Sequence, residues 1–334
     1  MVGYIPKFHS KSCSDVVEYK AMKLSIVIPV YNEEKNIPIL AGELNEFCTT
    51  TSSSEVIFVD DGSKDASLPA LEVALRGNKN FRILSFQKNC GQTAAIAAGI
   101  AFAEGDIIVM MDSDLQNSPK DIPRLLEKMN EGYDVVSGWR KDRWKKELFR
   151  RKLPSRMANA LISLVTGVKL HDYGCTLKAY KKEYLKPVKL YGEMHRFIPA
   201  YAAWQGGRVG EIAVSDRPRV HGVSKYGMSR IGRVLLDLLV IKFLFKYQDR
   251  PSHFFGGFGF LSFFISGVCA LLAIYYKLAG LKDFISTPLP IFTALFFIVG
   301  INFILMGILA EFFIRVSREA SGKETYAIGK KINF

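Results

Sequence analysis

Two stretches of the chain, residues 254–276 and 284–310, contain no Asp, Glu, Lys or Arg. Each exceeds the roughly 20 residues that a helix needs to cross a bilayer. That argues against a purely cytosolic protein and for an anchor of two transmembrane helices. The short connection between them holds Lys277, Lys282 and Asp283. Lys242, Lys246 and Arg250 precede the pair, and Arg315, Arg318, Lys323, Lys330 and Lys331 follow it. The positive-inside rule therefore puts both flanks in the cytoplasm and the connection outside. The first 22 residues carry Lys7, Lys11, Asp15, Glu18 and Lys20 and no apolar core, so export of the N-terminal part is not indicated. Five cysteines without CxxC or Cys/His spacing suggest free thiols in a reducing compartment.

Ahead of the spans the pattern changes to alternating strand and helix. Residues 24–30, 56–59, 81–86, 107–111 and 134–137 are apolar, β-branched runs. Runs without polar alternation suit strands covered on both faces, which means parallel strands. Helical segments are expected near 34–48, 65–76, 92–104 and 119–131. This order predicts a doubly wound α/β domain with ligands at the carboxyl ends of the strands. The net charge of +13 is concentrated further on. From Trp139 to Arg156 nine basic residues face two acidic ones, interleaved with Trp and Leu, and residues 228–249 place Arg230, Arg233, Lys242 and Lys246 between apolar residues at helical spacing. Both read as interfacial amphipathic segments. The expected organisation is an N-terminal extension (1–22), a cytoplasmic domain (23–227), a juxtamembrane helix (228–250), two spans (251–314) and a basic tail (315–334).

The chemistry-bearing residues sit where strands end. The first strand runs into Tyr31-Asn32-Glu33-Glu34, with no G-x-G-x-x-G, so dinucleotide chemistry is not indicated. The second ends in Asp60-Asp61-Gly62-Ser63, whose carboxylates could accept from a base or a ribose. The fourth ends in Asp112-Ser113-Asp114-Leu115-Gln116. Asp112 and Asp114 fall on one side of an extended chain, and Gln116 continues the row. Two carboxylates forced together repel, so a divalent cation is the natural partner, and oxygen ligands favour Mg²⁺ or Mn²⁺.

The segments PVYNEE, VDDGSKD, NCGQTAAIAAGIAFAEGD, MDSDLQ, SGWR, DYGCTLKAY, HRFIPA and PRVHGVSKYG follow in this order. Over residues 23–235 the chain resembles the polyprenyl-phosphate family 2 glycosyltransferases. That group holds GtrB-type glucosyltransferases, ArnC-type aminoarabinose transferases and dolichol-phosphate mannose synthases. The resemblance implies a GT-A (Rossmann-like), mostly parallel sheet and inverting transfer from a nucleotide-diphosphate sugar to undecaprenyl or dolichyl phosphate. The two-span anchor favours a UDP-sugar such as UDP-glucose; GDP-mannose is the alternative. By the same resemblance Pro29, Tyr31, Glu33, Asp61, Gly91 and Gln92 line the nucleoside pocket, together with Asp112. Asp112, Asp114 and Gln116 match the metal and diphosphate motif. Arg140 and Arg156 match arginines that hold the lipid phosphate, and Arg219 and Lys225 match the basic pair of a loop over the phosphates. Asp112, Asp114, Arg140, Arg156 and Lys225 are thus the expected catalytic groups.

There are departures. Lys178 stands where family members often have arginine, Thr176 where some GtrB-type relatives have aspartate, and Asp216 where many have histidine. His195 matches the family's HRF segment, and Asp172 is a candidate for shaping the acceptor site, with a helix cap or a salt bridge as the equal alternative. No dedicated base is required, because a phosphate acceptor is already largely ionised at neutral pH. Neither a QxxRW motif nor a larger bundle of spans is present, which argues against a processive polysaccharide synthase. A non-catalytic scaffold that binds nucleotide sugar is the alternative from another class. Nucleic acid is not an expected partner, and a homo-oligomer, a tetramer as in GtrB-type relatives, is left open.

Overall fold

β1 (Leu24–Val30) is the axis of the fold, and all its residues but Pro29 are buried. A strand this apolar needs cover on both faces and partners on both edges. It pairs in parallel with β2 (Ser54–Asp60) on one side and β4 (Ile107–Met110) on the other. The computed structural model describes residues 22–51, 53–141, 153–185, 194–218, 251–320 and 328–333. They form two units, Met1–Val234 with Glu324–Phe334, and Leu235–Lys323.

In the first unit, α1 (Ile37–Thr50), α2 (Ser67–Leu75), β3 (Phe81–Phe86) and α3 (Gln92–Phe102) precede β4. After it come α4 (Ile122–Asn130), β5 (Val135–Trp139), α5 (Leu153–Thr166), β6 (Lys178–Lys181), α6 (Ile198–Trp204) and β7 (Val209–Ala213). Pro38 and Pro123 occupy the first turns of α1 and α4, where a missing N–H costs nothing. α3 is made of small residues because it lies hard on β1. A Cβ on its Gly99 would stand 2.2 Å from Val27 Cγ1.

The eight-stranded sheet has the order β7-β5-β6-β4-β1-β2-β3-β8, where β8 is Ile328–Ile332. β6 runs antiparallel to β4 and β5, and β8 antiparallel to β3, while the remaining pairs are parallel. The sheet is therefore mixed, with two reversed strands in a mostly parallel array. All five strands expected from apolar runs are present. Residues 328–332, read from sequence as basic tail, instead complete the sheet edge. Lys330 reaches Glu72 of α2 on one face, and Lys331 lies over the Phe102 ring of α3 on the other, 4.2 Å from its centroid.

The second unit contains α7 (Pro251–Leu278) and α8 (Leu289–Ala320), both long and apolar enough to cross a membrane. α8 starts five residues later than the uncharged stretch. Thr287 before Pro288 is extended, as the residue preceding proline tends to be, and Phe284–Ser286 forms a 3₁₀ turn. The helices are antiparallel. Gly259 lies against the Gly300 carbonyl and Ile304, Phe263 against Phe297, and Ser266 Oγ donates to Thr293 O at 2.8 Å. The juxtamembrane segment 228–250 and most of the basic stretch after Lys141 lie outside the described residues.

Candidate active site

Chain order runs from β1 outward to β3 and then returns across β1 to β4. Strand order thus reverses between β1 and β4, and the crevice beyond their carboxyl ends is where an open α/β sheet takes its ligand. The register aligns Val27 with Met110 and Val30 with Asp60, so Tyr31, Asp61 and Asp112 all follow strands that end at this edge.

Asp112 and Asp114 leave β4 into the crevice. Asp112 is enclosed: Gln92 Nε2 donates to its Oδ1 at 2.7 Å, and the Thr176 hydroxyl donates to it as well. Burial, and then the neighbouring Asp114 charge, push the Asp112 carboxyl up to about 6, against the pull of Arg140 and Arg196. Asp114 Oδ1 accepts from the Gln116 amide at 3.1 Å. The extended row expected to carry Gln116 beside the two carboxylates does not form. β4 ends at Met110, and Leu115 turns the chain at φ +63°. A bulky residue in the left-handed region is strained, and such strain collects at functional turns.

Beyond the end of β1, a second non-glycine residue, Asn32, has φ +56° between Tyr31 and Glu33. It is pinned to the neighbouring turn, its amide donating to Ser63 Oγ at 3.0 Å and its Oδ1 accepting from the Lys64 amide at 2.9 Å. Glu33 Oε2 accepts from Asn36 Nδ2 at 2.5 Å, and the Pro29 carbonyl accepts from Ser113 Oγ at 3.0 Å. The structure brings Asp61 and Gly91 together, as expected, but by a bond the sequence did not disclose. Asp61 accepts from the Cys90 amide at 2.7 Å and the Gly91 amide at 2.9 Å, so it builds the turn that presents Gln92. Burial raises the Asp61 pKa although these amides favour its charge.

Arg140 follows β5 and is buried. Its Nε and Nη2 form a fork on Asp172, at 2.9 and 3.3 Å. Burial opposes its charge, but Asp172 more than offsets this and the pKa ends raised. The Asp172 loop is braced in turn. Glu211 accepts from the His171 and Asp172 amides, Trp139 stacks on His171 with ring centroids 4.3 Å apart, and Lys178 Nζ donates to Tyr173 O at 3.0 Å. Burial holds Lys178 down at about 8. His195 is buried, with Nδ1 2.7 Å from Thr93 Oγ1, and burial followed by the Arg196 charge takes its pKa to about 3. It is a neutral strut.

Arg156 belongs to α5, but its side chain lies outside the described residues, as do Arg219 and Lys225. Two cations that sequence reasoning gave no role are placed at the site. Arg196 acts electrostatically on Asp112. Arg217 donates to Glu43 at 2.6 Å and to Ser118 Oγ at 2.6 Å, and its amide donates to Gln116 O at 3.0 Å. It ties the approach to residue 219 onto the Asp112–Asp114 turn. A position just before PRVHGVSKYG was the available hint, but its partners lie 99 and 174 residues away.

Among the described residues no group of three or more His, Cys, Asp and Glu could enclose a metal by itself. Two carboxylates suit Mg²⁺ or Mn²⁺ shared with a substrate's phosphates, since such ions keep few protein ligands. Asp112 and the neighbouring Asp114 bring two carboxylates to one strand end, where burial first and their mutual repulsion second disfavour the double charge, and a divalent cation would offset both, so the residues fit the ion.

Residues 25–188 match the model of glycosyl transferase family 2. The chain is 34% identical over 309 residues to the undecaprenyl-phosphate 4-deoxy-4-formamido-L-arabinose transferase of Aeromonas hydrophila, covering 91% of this chain and 92% of that one. Its fold is similar to glucosyl-3-phosphoglycerate synthase of Mycobacterium tuberculosis, solved with Mn²⁺ and UDP-glucose. There the TM-score is 0.53 at 16% identity, over 71% of this chain and 84% of that one. It is 42% identical over 320 residues to the dodecaprenyl-phosphate galacturonate synthase of Rhizobium johnstonii, covering 92% and 93%. A likeness of that degree running the length of both chains makes this protein a member of glycosyl transferase family 2, and a glycosyltransferase.

Proposed function

We propose that the protein transfers a sugar from a UDP-sugar to polyprenyl phosphate in a membrane, inverting the anomeric carbon. The observation that carries this reading is the meeting of a carboxylate pair and a buried arginine at one strand-end crevice. Asp112 and Asp114 suit a donor diphosphate, and Arg140, held through Nε and Nη2 by Asp172, has Nη1 outside that fork to offer a second phosphate. Both relatives above are named for polyprenyl-phosphate products, with different sugars.

In this reading Tyr31, Glu33 and the Gly91–Gln92 turn shape the nucleoside side. Asp112 and Asp114, with Gln116 on the turn that follows them, would hold Mg²⁺ or Mn²⁺, which would supply Lewis-acid charge to the departing diphosphate. Arg140 and Arg156 orient the lipid phosphate, whose ionised oxygen attacks without giving up a proton to the protein. Arg219 and Lys225 close on the phosphates, and Arg217 anchors the root of that segment. Catalysis is then mainly positioning and charge stabilisation.

The same reading has α7 and α8 cross the membrane as a hairpin. The first unit contains described residues from both sides of the pair, β7 before it and β8 after it, in one sheet. A chain that leaves one unit and rejoins it crosses an even number of times. The lysines and arginines on both flanks put that unit in the cytoplasm.

The test is a transfer assay with full-length protein, Mg²⁺ or Mn²⁺, undecaprenyl phosphate and a panel of labelled UDP- and GDP-sugars that includes a uronic acid donor. The expected result is one labelled lipid that disappears with Asp114→Ala. Nucleotide-sugar binding without transfer from any donor would overturn the reading in favour of a scaffold.

A further inference from the structure

One face of α8 is taken up by α7, through Thr293, Phe297, Gly300, Ile304 and Gly307. The opposite face carries Leu295, Ile298, Asn302, Leu305 and Leu309 at alternating steps of three and four. Its apolar members are between 50% and 57% exposed. Apolar exposure alone is what any lipid-facing helix has. Asn302 is different. Its carboxamide is exposed, and Nδ2 donates to Ile298 O, one turn back, at 2.9 Å. That uses one of two N–H donors and leaves the Oδ1 acceptor; among the described residues no other hydrogen bond reaches it. Asn302 lies 13 residues from the start and 11 from the end of the apolar segment Leu289–Phe313, so it sits near mid-bilayer if that segment crosses. Hydrocarbon offers no partner for an amide there.

We propose that Asn302 pairs with Asn302 of a second copy of this chain, joining α8 to α8 in a two-fold dimer within the membrane; this rests on the reading that α8 spans the bilayer. Identical chains inserted in one direction hold Asn302 at one depth. A two-fold axis along the membrane normal then sets the two α8 helices parallel and in register. A carboxamide is both donor and acceptor, so two of them satisfy each other, which a charged side chain could not do with its own copy. The 295, 298, 302, 305, 309 row is the seam that such a crossing needs. A single Asn at this spacing among Leu and Ile favours an in-register pair, because any slip leaves two amides in the apolar seam. The face toward α7 is already filled, so the hairpin cannot provide this partner itself.

The test uses full-length protein in native membranes, with Cys269→Ser to remove the other thiol of the spans and Leu305→Cys as reporter. Mild copper-phenanthroline oxidation is expected to give a disulfide dimer. Asn302→Leu should lower its yield about tenfold, and Asn302→Gln should keep it. Thr293→Cys, on the face against α7, should not cross-link. No dimer through Leu305→Cys, or a yield indifferent to Asn302→Leu, overturns the pairing. A membrane-impermeant maleimide separates this failure from that of the spanning reading. If Leu305→Cys is labelled readily from water, the helix does not cross, and the dimer proposal falls with it. Protection from label without cross-linking sinks the dimer alone.

Discussion

Arg140 and Asp172 illustrate how much of the site is held by single buried contacts. Both are buried, and the guanidinium has two of its nitrogens on the carboxylate. Asp172→Asn leaves a buried cation without its counter-charge and is expected to cost about 3–5 kcal/mol in a denaturation experiment. The double replacement Arg140→Met, Asp172→Leu should recover much of that stability while transfer stays abolished. A structural role alone would let activity return with stability. His195 makes a prediction with a sign. Its folded pKa, about 3, lies below the ordinary imidazole value of 6.5. The unfolded chain therefore takes up a proton that the folded chain refuses, and stability falls as pH drops from about 6.5 toward 3. Relative to His195→Asn, the wild type should lose on the order of 1 kcal/mol per pH unit across that window, with no such difference above pH 7. Gly62 has φ +65°, and an added Cβ would come within 2.6 Å of the Lys88 carbonyl carbon. Gly62→Ala should therefore lower the melting temperature and weaken nucleotide binding together, by displacing Asp61 and the Gly91 turn.

At the scale of elements, the legible strands are those buried on both faces. β1 to β5 declare themselves because two-sided burial requires an unbroken apolar run, and a run is a local pattern. β6 reads Lys-Ala-Tyr-Lys and β8 reads Ile-Gly-Lys-Lys-Ile. Neither has such a run. β6 is a strand because Met110 and Ser137 lie on either side of Lys178, and β8 because β3 would otherwise be left with an open edge. Ile332 pairs with Ile83 and packs on the main core. Ending the chain at residue 323 is expected to lower the melting temperature of the first unit by several degrees and to promote aggregation through the uncovered edge of β3, measured by calorimetry and light scattering. Ile332→Asp should reproduce part of the loss with chain length unchanged.

At the scale of the molecule, the return of the chain from α8 into the sheet of the first unit makes a prediction about sidedness. A cysteine in place of Lys282, between α7 and α8, should react with a membrane-impermeant reagent applied from outside the cell. Cysteines introduced at Asp106 and Lys331, both in the first unit, should react only after the membrane is opened. The opposite pattern would reverse the orientation read from flanking lysines and arginines. What the sequence determined by itself was everything written in short-range pattern: the apolar strands, the two uncharged helices, and the Asp112–Asp114 pair at the end of the fourth strand. Each depends on residues close together in the chain, where periodicity and charge can be read directly. The tertiary structure alone decided what each site residue holds. Arg140 is committed to a carboxylate 32 residues away, Asp61 to amides 29 and 30 residues away, Arg217 to a helix 174 residues away, and Ile332 of β8 to Ile83 of β3, 249 residues earlier. Partners that distant leave no mark on local composition, because what selects them is the shared low-dielectric space that folding creates, in which a buried polar group must find whichever complement the topology brings near.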